Sequence, residues 1–344
     1  MLNARKDVSL SKNSDHHRFI EESLPAIFSL KGAVLQDEQR ALFARTKPMG
    51  FILFKILGNC ENPAQLIKLC TDLREAVGWH CPILIDQEGG RVQRLKPPHW
   101  GSYPPCKTYG DMISEDMMGR GQADKCLEEN IKALSSELLR HGINVDCAPV
   151  LDVIFEGAHD IVGDRGFSSD VDVVTALGRR FCQIMMDEGV TPVIKHIPGH
   201  GRALVDSHEV VTVVDAALED LRAVDFKPFQ ELSCLPFLKG MWGMVAHCVY
   251  TAIDDKPASV SPKVIGDIIR REIGFDGVLV SDDLSMKGLD GWGSVANRAK
   301  MSVEAGCDLA LYCAGKLEEM EEIAGVLKPA TRESLARLKV GVPA

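Results

Sequence analysis

Eight short, nearly uninterrupted apolar runs recur along this chain: Pro25–Leu30, Gly50–Phe54, Pro82–Ile85, Asn144–Leu151, Pro192–His196, Gly243–His247, Gly277–Ser281 and Asp308–Cys313. Continuous rather than alternating apolar character is how strands buried on both faces read. Between the runs lie longer stretches with helical periodicity. Asn62–Trp79 opens on Asn62-Pro63, a capping residue followed by proline at the first helical position, and places Leu66, Ile67, Leu69, Cys70, Leu73 and Val77 near one face. Ala123–Leu139, Val171–Met186 and Ser261–Ile273 repeat the pattern, and Gly142 and Gly189 supply helix stops. Eight strands with crossover helices predict an α/β fold, a single (β/α)₈ TIM-type barrel, with an open doubly wound sheet as the structural rival.

The 344 residues suffice for such a barrel, which needs roughly 250. No linker divides the chain, so residues 23–344 are expected as one catalytic domain and residues 1–22 as a disordered or extended tail. A formal net charge of −10 argues against a nucleic-acid partner, because phosphate binding needs clustered Lys and Arg. No run reaches the ~20 apolar residues of a membrane span, and the polar N-terminus lacks the apolar core of a signal peptide, so no membrane partner is expected. The 11 cysteines are scattered, odd in number and without a Cys-x-x-Cys, which reads as reduced thiols in a cytoplasmic protein.

Polar residues close most of the apolar runs. Asp86-Gln87-Glu88 follows the third, Asp152 the fourth, Lys195-His196 the fifth, His247 the sixth and Ser281-Asp282-Asp283 the seventh. In a (β/α)₈ barrel these strand ends converge on one face, where the active site lies. Desolvating a charge there is expensive unless it is paired or used, so five such ends predict a polar pocket. Three loops carry candidate chemistry. In Asp86–Arg94, Asp86 and Arg94 can clamp hydroxyls from two sides, while Arg94 taken alone reads as a structural salt-bridge partner. In Lys195–His208, three readings stand side by side. One is a metal trio of His196, His200 and His208, another a Schiff-base Lys195, and the third an Asp206–His208 pair in which the carboxylate orients the imidazole for proton transfer. In Val280–Met286, one of the adjacent Asp282 and Asp283 suits a nucleophile and the other a cap, and spacing alone leaves open which is which.

Three segments occur in order: Ile85-Asp86-Gln87-Glu88-Gly89-Gly90-Arg91-Val92-Gln93-Arg94, then Lys195-His196-x-Pro198-Gly199-His200-Gly201 leading to Asp206-Ser207-His208, then Ser281-Asp282-Asp283-Leu284-Ser285-Met286. Together with Ala148–Val153, Gly163-Asp164-Arg165 and Gly274-Phe275-Asp276-Gly277, this set resembles the bacterial β-N-acetylglucosaminidases of glycoside hydrolase family 3, from about Ser29 to about Cys313. The resemblance implies a retaining exo-hydrolase of β-linked N-acetylglucosamine that needs no cofactor or metal. Asp282 would be the nucleophile, His208 the acid/base helped by Asp206, and Asp86, Arg94, Arg165, Lys195 and His196 the residues that hold the sugar. It also implies a small carbohydrate substrate, N-acetylglucosamine-containing muropeptide fragments, and a role in peptidoglycan recycling. A phosphorylase and an inert sugar-binding barrel are the rival functions. The loop Phe54–Cys60 departs from the shorter family pattern, so contacts from that loop do not carry over.

Overall fold

The structure, a computed structural model, describes residues 15–114, 119–158, 160–203 and 211–343. Its centre is a ring of eight parallel strands: β1 (Leu24–Phe28), β2 (Pro48–Leu53), β3 (Ile83–Ile85), β4 (Val145–Asp146), β5 (Thr191–Ile197), β6 (Trp242–Val245), β7 (Val278–Ser281) and β8 (Ala310–Tyr312). Their neighbour order is β7-β6-β5-β4-β3-β2-β1-β8, and a parallel bridge between Val280 and Leu309 closes β7 onto β8. An open sheet is thereby excluded, and the chain is a (β/α)₈ barrel.

Each strand is followed by at least one helix: α1 (Asp37–Thr46), α2 (Pro63–Val77), α3 (Gly119–Arg140), α4 (Val171–Asp187), α5 (Lys227–Ser233), α6 (Val264–Glu272, of π type), α7 (Val295–Ala305) and α8 (Leu317–Val326). The expected start of α2 is present: the Asn62 side chain accepts from Gln65 N–H at 3.0 Å, and Pro63 is the first helical residue. Its buried face carries Leu66, Leu69, Cys70, Leu73 and Val77, whereas Ile67 lies off the stripe and is 45% exposed. Gly142 and Gly189 follow α3 and α4 at φ 86° and 90°, a backbone region that favours glycine.

Two expectations are adjusted. The fourth strand is shorter than Asn144–Leu151: regular pairing ends at Asp146, because Pro149 has no N–H to give to a ladder. Residues 147–151 still run beside β5, with Leu151 N–H donating to the Lys195 carbonyl at 2.7 Å. Residues 15–22, expected as tail, form a helix. Its Ile20 is fully buried, and Phe19 stacks on Trp79 at 6.1 Å between ring centroids, enough apolar burial to order the turn.

Side chains reinforce the closing seam. Ser281 Oγ accepts from Leu311 N–H at 3.0 Å, and Asp308 Oδ2 accepts from Leu279 N–H at 2.8 Å. Asp308 is 1% exposed and also holds Arg270 at 2.7 Å and Arg337 at 2.9 Å. Removing one partner of a buried ion cluster strands the others without compensation. Asp308→Ala is therefore expected to lower unfolding stability by about 3–5 kcal/mol. Urea unfolding checks this, and a loss under about 1 kcal/mol would show that the seam does not depend on the cluster.

Candidate active site

The C-terminal ends of the strands surround a cavity of ≈ 460 Å³. Asp86 follows β3, Lys195 and His196 lie within β5, and Asp282 and Asp283 follow β7, all in its lining. Arg94 and Arg165 enter from the loops after β3 and β4.

The floor is a network of opposite charges. Lys195 Nζ lies 2.9 Å from Asp86 Oδ1 and 2.6 Å from Glu88 Oε1. Arg94 holds the other oxygen of Asp86 at 2.8 Å, and Arg165 grips Glu88 with Nε and Nη2, each at 2.8 Å. Gln87 fixes the hairpin behind them, its side-chain oxygen accepting from Arg94 N–H at 2.9 Å and Leu95 N–H at 3.0 Å. Burial pushes the Asp86 carboxyl up, but Lys195 and Arg94 outweigh it and hold the group well below the usual carboxylate range. Burial likewise disfavours charge on Lys195, yet Asp86 and Glu88 prevail and raise its pKa. A lysine held so firmly as a cation is a poor nucleophile, which removes the Schiff-base reading.

A second network lies beside the first. Asp152 is fully buried, with Oδ2 2.6 Å from His196 Nδ1 and Oδ1 accepting from the N–H groups of His196 and His200 at 3.1 and 2.7 Å. Burial raises this carboxyl, but His196, its hydrogen bond and His200 bring it down to about 2. His196 is thus aimed by a carboxylate, leaving Nε2 for the cavity it lines. His200 is lowered to about 4, first by burial and then by the neighbouring His196, so its ring is neutral near pH 7. Among the described residues no group of three or more His, Cys, Asp and Glu is arranged to hold a metal ion.

The adjacent aspartates have different surroundings. Asp283 is tied into its own loop: Oδ1 accepts from Ser285 N–H and Cys313 N–H, both at 3.0 Å, and Oδ2 from Ser285 Oγ at 2.6 Å. Asp282 carries the β7–β6 ladder one residue further, its N–H donating to the Val245 carbonyl at 3.0 Å. Its carboxylate borders the cavity, with Oδ1 accepting from Asp283 N–H at 2.8 Å. His247 does not reach the cavity lining; its ring nitrogens meet Ser259 Oγ at 2.7 Å and the Asp283 carbonyl at 3.0 Å.

The structure thus brings Asp86, Arg94, Arg165, Lys195, His196 and Asp282 around one cavity. Asp206 and His208 lie outside the described residues. Sequence reasoning gave no role to Glu88, which links Lys195 to Arg165, and offered His200 only as a metal ligand, whereas its N–H is bound by Asp152. A signal for Glu88 existed: two residues after Asp86 in extended chain, its side chain returns to the same side.

Among these groups His200 has a stability signature. Its folded pKa, about 4, lies below the ordinary 6.5, so the unfolded chain binds more protons between those values. The contribution is complete above about pH 6.5 and is lost as pH falls toward 4, up to about 3 kcal/mol. Asp225, raised to about 6 chiefly by burial, works in the opposite direction, so the comparison must be with a His200→Gln variant. Urea unfolding from pH 7 to 4 is expected to fall less steeply in that variant, and parallel curves would rule His200 out as the source.

Comparison with known proteins identifies the family and the fold. The family model described as the glycosyl hydrolase family 3 N terminal domain matches residues 26–339. A beta-hexosaminidase from Shewanella frigidimarina is 36% identical over 287 residues, 83% of this chain and 81% of the relative. A second from Thiobacillus denitrificans is 35% identical over 290 residues, 84% and 78% of the two chains. Among solved structures, NagZ from Neisseria gonorrhoeae in complex with N-trifluoroacetyl-D-glucosamine superposes with a TM-score of 0.82 at 30% identity, covering 92% of this chain and 89% of that one. A family 3 beta-N-acetylglucosaminidase from Paenibacillus superposes at 0.81 and 28% identity, over 93% of this chain and 60% of its own. With a family match across nearly the whole barrel and relatives above one-third identity, this chain belongs to glycosyl hydrolase family 3.

Proposed function

We propose that this chain, a glycoside hydrolase of the β-N-acetylhexosaminidase type, releases non-reducing terminal β-linked N-acetylglucosamine with retention of anomeric configuration. The observation that carries the reading is Asp282 on the wall of a cavity whose floor holds three cations, Arg94, Arg165 and Lys195, against two carboxylates, Asp86 and Glu88. Donors and acceptors fixed by one another suit the hydroxyls of a sugar, which need both. In this reading Asp86, Arg94, Arg165, Lys195 and His196 seat the sugar, and residues 23–344 form the catalytic unit.

Asp282 attacks the anomeric carbon while His208, oriented by Asp206, gives its proton to the departing oxygen. Water then attacks the glycosyl-enzyme, His208 takes its proton, and Asp282 is released as a carboxylate. The roles of Asp206 and His208 rest on the sequence motif alone. An imidazole titrates near 6.5 without the desolvation a carboxylic acid would require, and it avoids a second anion beside the reacting centre. The Asp283 carboxylate braces its own loop through Ser285 and Cys313, which supports its neighbour Asp282 as the nucleophile. For substrate we assign N-acetylglucosamine-containing muropeptide fragments, cleaved in the cytoplasm during peptidoglycan recycling. In support of a reducing compartment, all eleven cysteines are free and all but Cys126, Cys234 and Cys313 are buried.

Incubation with 4-nitrophenyl N-acetyl-β-glucosaminide is expected to give free N-acetylglucosamine at similar rates with and without phosphate, the β anomer appearing first by NMR. Sugar 1-phosphate as product would make the enzyme a phosphorylase. Asp282→Ala is expected to lose about 10⁴-fold or more in kcat while still binding N-acetylglucosamine by calorimetry; near-normal turnover would remove it as nucleophile. His208→Ala is expected to slow alkyl glycosides far more than aryl ones, and equal losses would deny it the acid role.

A further inference from the structure

Ile56 is 92% exposed, the most solvent-accessible of the large apolar side chains among the described residues, and it lines the catalytic cavity. Scattered surface apolar residues need no explanation, but one presented at the mouth of a polar sugar pocket does. The turn that carries it, Lys55–Leu57, follows β2 at the C-terminal end of the barrel.

That loop is built rather than slack. Asn59 is fully buried, accepts from Phe54 N–H at 2.9 Å and donates to the carbonyls of Leu30 and Gly32, each at 2.9 Å. The Leu57 carbonyl accepts from Gly32 N–H at 2.8 Å, and Gly58 turns the chain at φ 86° with Gly32 packed against it. The loops after β1 and β2 are thus stapled together, and Ile56 is held outward on a fixed base. Phe54, at the root of the same turn, lies 5.1 Å from the Arg94 guanidinium, which in turn grips Asp86. Floor and rim therefore meet at Phe54, polar groups below and Phe54, Ile56 and Leu57 above.

We propose that this turn forms the leaving-group subsite, with Ile56 as its specificity-determining contact for aglycones that present the C–H face of a second sugar ring. The inference rests on the reading that an N-acetylglucosamine unit fills the floor. A sugar held there by its hydroxyls leaves only the next unit to meet the rim. The axial C–H groups of a pyranose offer a flat apolar face, and a rigidly held Ile covers it with little loss of conformational freedom. A methyl aglycone is too small to gain from the contact.

The test compares N,N′-diacetylchitobiose with methyl N-acetyl-β-glucosaminide, two substrates with alkoxide leaving groups, in the wild type, Ile56→Ser and Ile56→Leu. The chitobiose-to-methyl ratio of kcat/KM is expected to fall about fivefold to tenfold in Ile56→Ser, mostly through KM, and to recover in Ile56→Leu. A ratio within about twofold of wild type would overturn the assignment, and so would equal losses on both substrates, which would put Ile56 against the first sugar. If the wild type cleaves neither substrate, the functional reading fails by itself. Calorimetry of chitobiose against N-acetylglucosamine then still decides the role of Ile56, through a narrowed or unchanged affinity gap in the Ser variant.

Discussion

The Lys195 ammonium, buried between Asp86 and Glu88, is the contact on which the rest of the pocket depends. It joins strand β5 to the hairpin after β3, and each carboxylate it holds passes the constraint to an arginine, Asp86 to Arg94 and Glu88 to Arg165. Taking five charges out of water is unfavourable term by term, and hydrophobic residues of similar volume would serve stability as well or better. A preorganised floor of donors and acceptors has another use. In the function proposed above it would meet a polyhydroxylated ligand without reorganising, and the pairing holds Asp86 as a carboxylate and Lys195 as a cation across the neutral range.

The same logic separates groups that share a chemical type. Asp282 and Asp283 are neighbours in sequence and both line the cavity, yet the Asp283 carboxylate accepts from Ser285 and Cys313 while Asp282 Oδ1 accepts from the Asp283 N–H. His196 is oriented by Asp152, His200 is kept neutral by burial, and His247 is spent on Ser259 and the Asp283 backbone. Three histidines at strand ends thus have three environments, set by what each ring nitrogen faces. The rim adds a contrast in polarity, since the Phe54–Leu57 turn places apolar surface directly above the charged floor.

Much of the barrel was legible beforehand. Each of the eight apolar runs overlaps a strand, because a segment buried on both faces must be apolar throughout. Asn62-Pro63 marked the start of α2, because capping is a property of adjacent residues. The misjudged pieces were those where a neighbour distant in sequence decides. Trp79 gives Phe19 a partner that turns an apparent tail into helix. Glu88 went without a role because its worth comes from Arg165 and Lys195, neither of which is near it in sequence.

By itself, then, the sequence determined the strand positions, the polar character of their C-terminal ends and the motifs of a family 3 glycoside hydrolase. All of these are written in short-range spacing, which hydrophobic burial and backbone geometry convert directly into local structure. Tertiary structure decided which charges pair, which aspartate is tied to Cys313 and that Ile56 stands at the cavity mouth. Those outcomes depend on the parallel pairing of β3, β4 and β5, which brings side chains as far apart as Asp86 and Lys195, 109 residues, within hydrogen-bonding reach. A contact of that kind has an energy only once the ring is closed and water is excluded from between the partners.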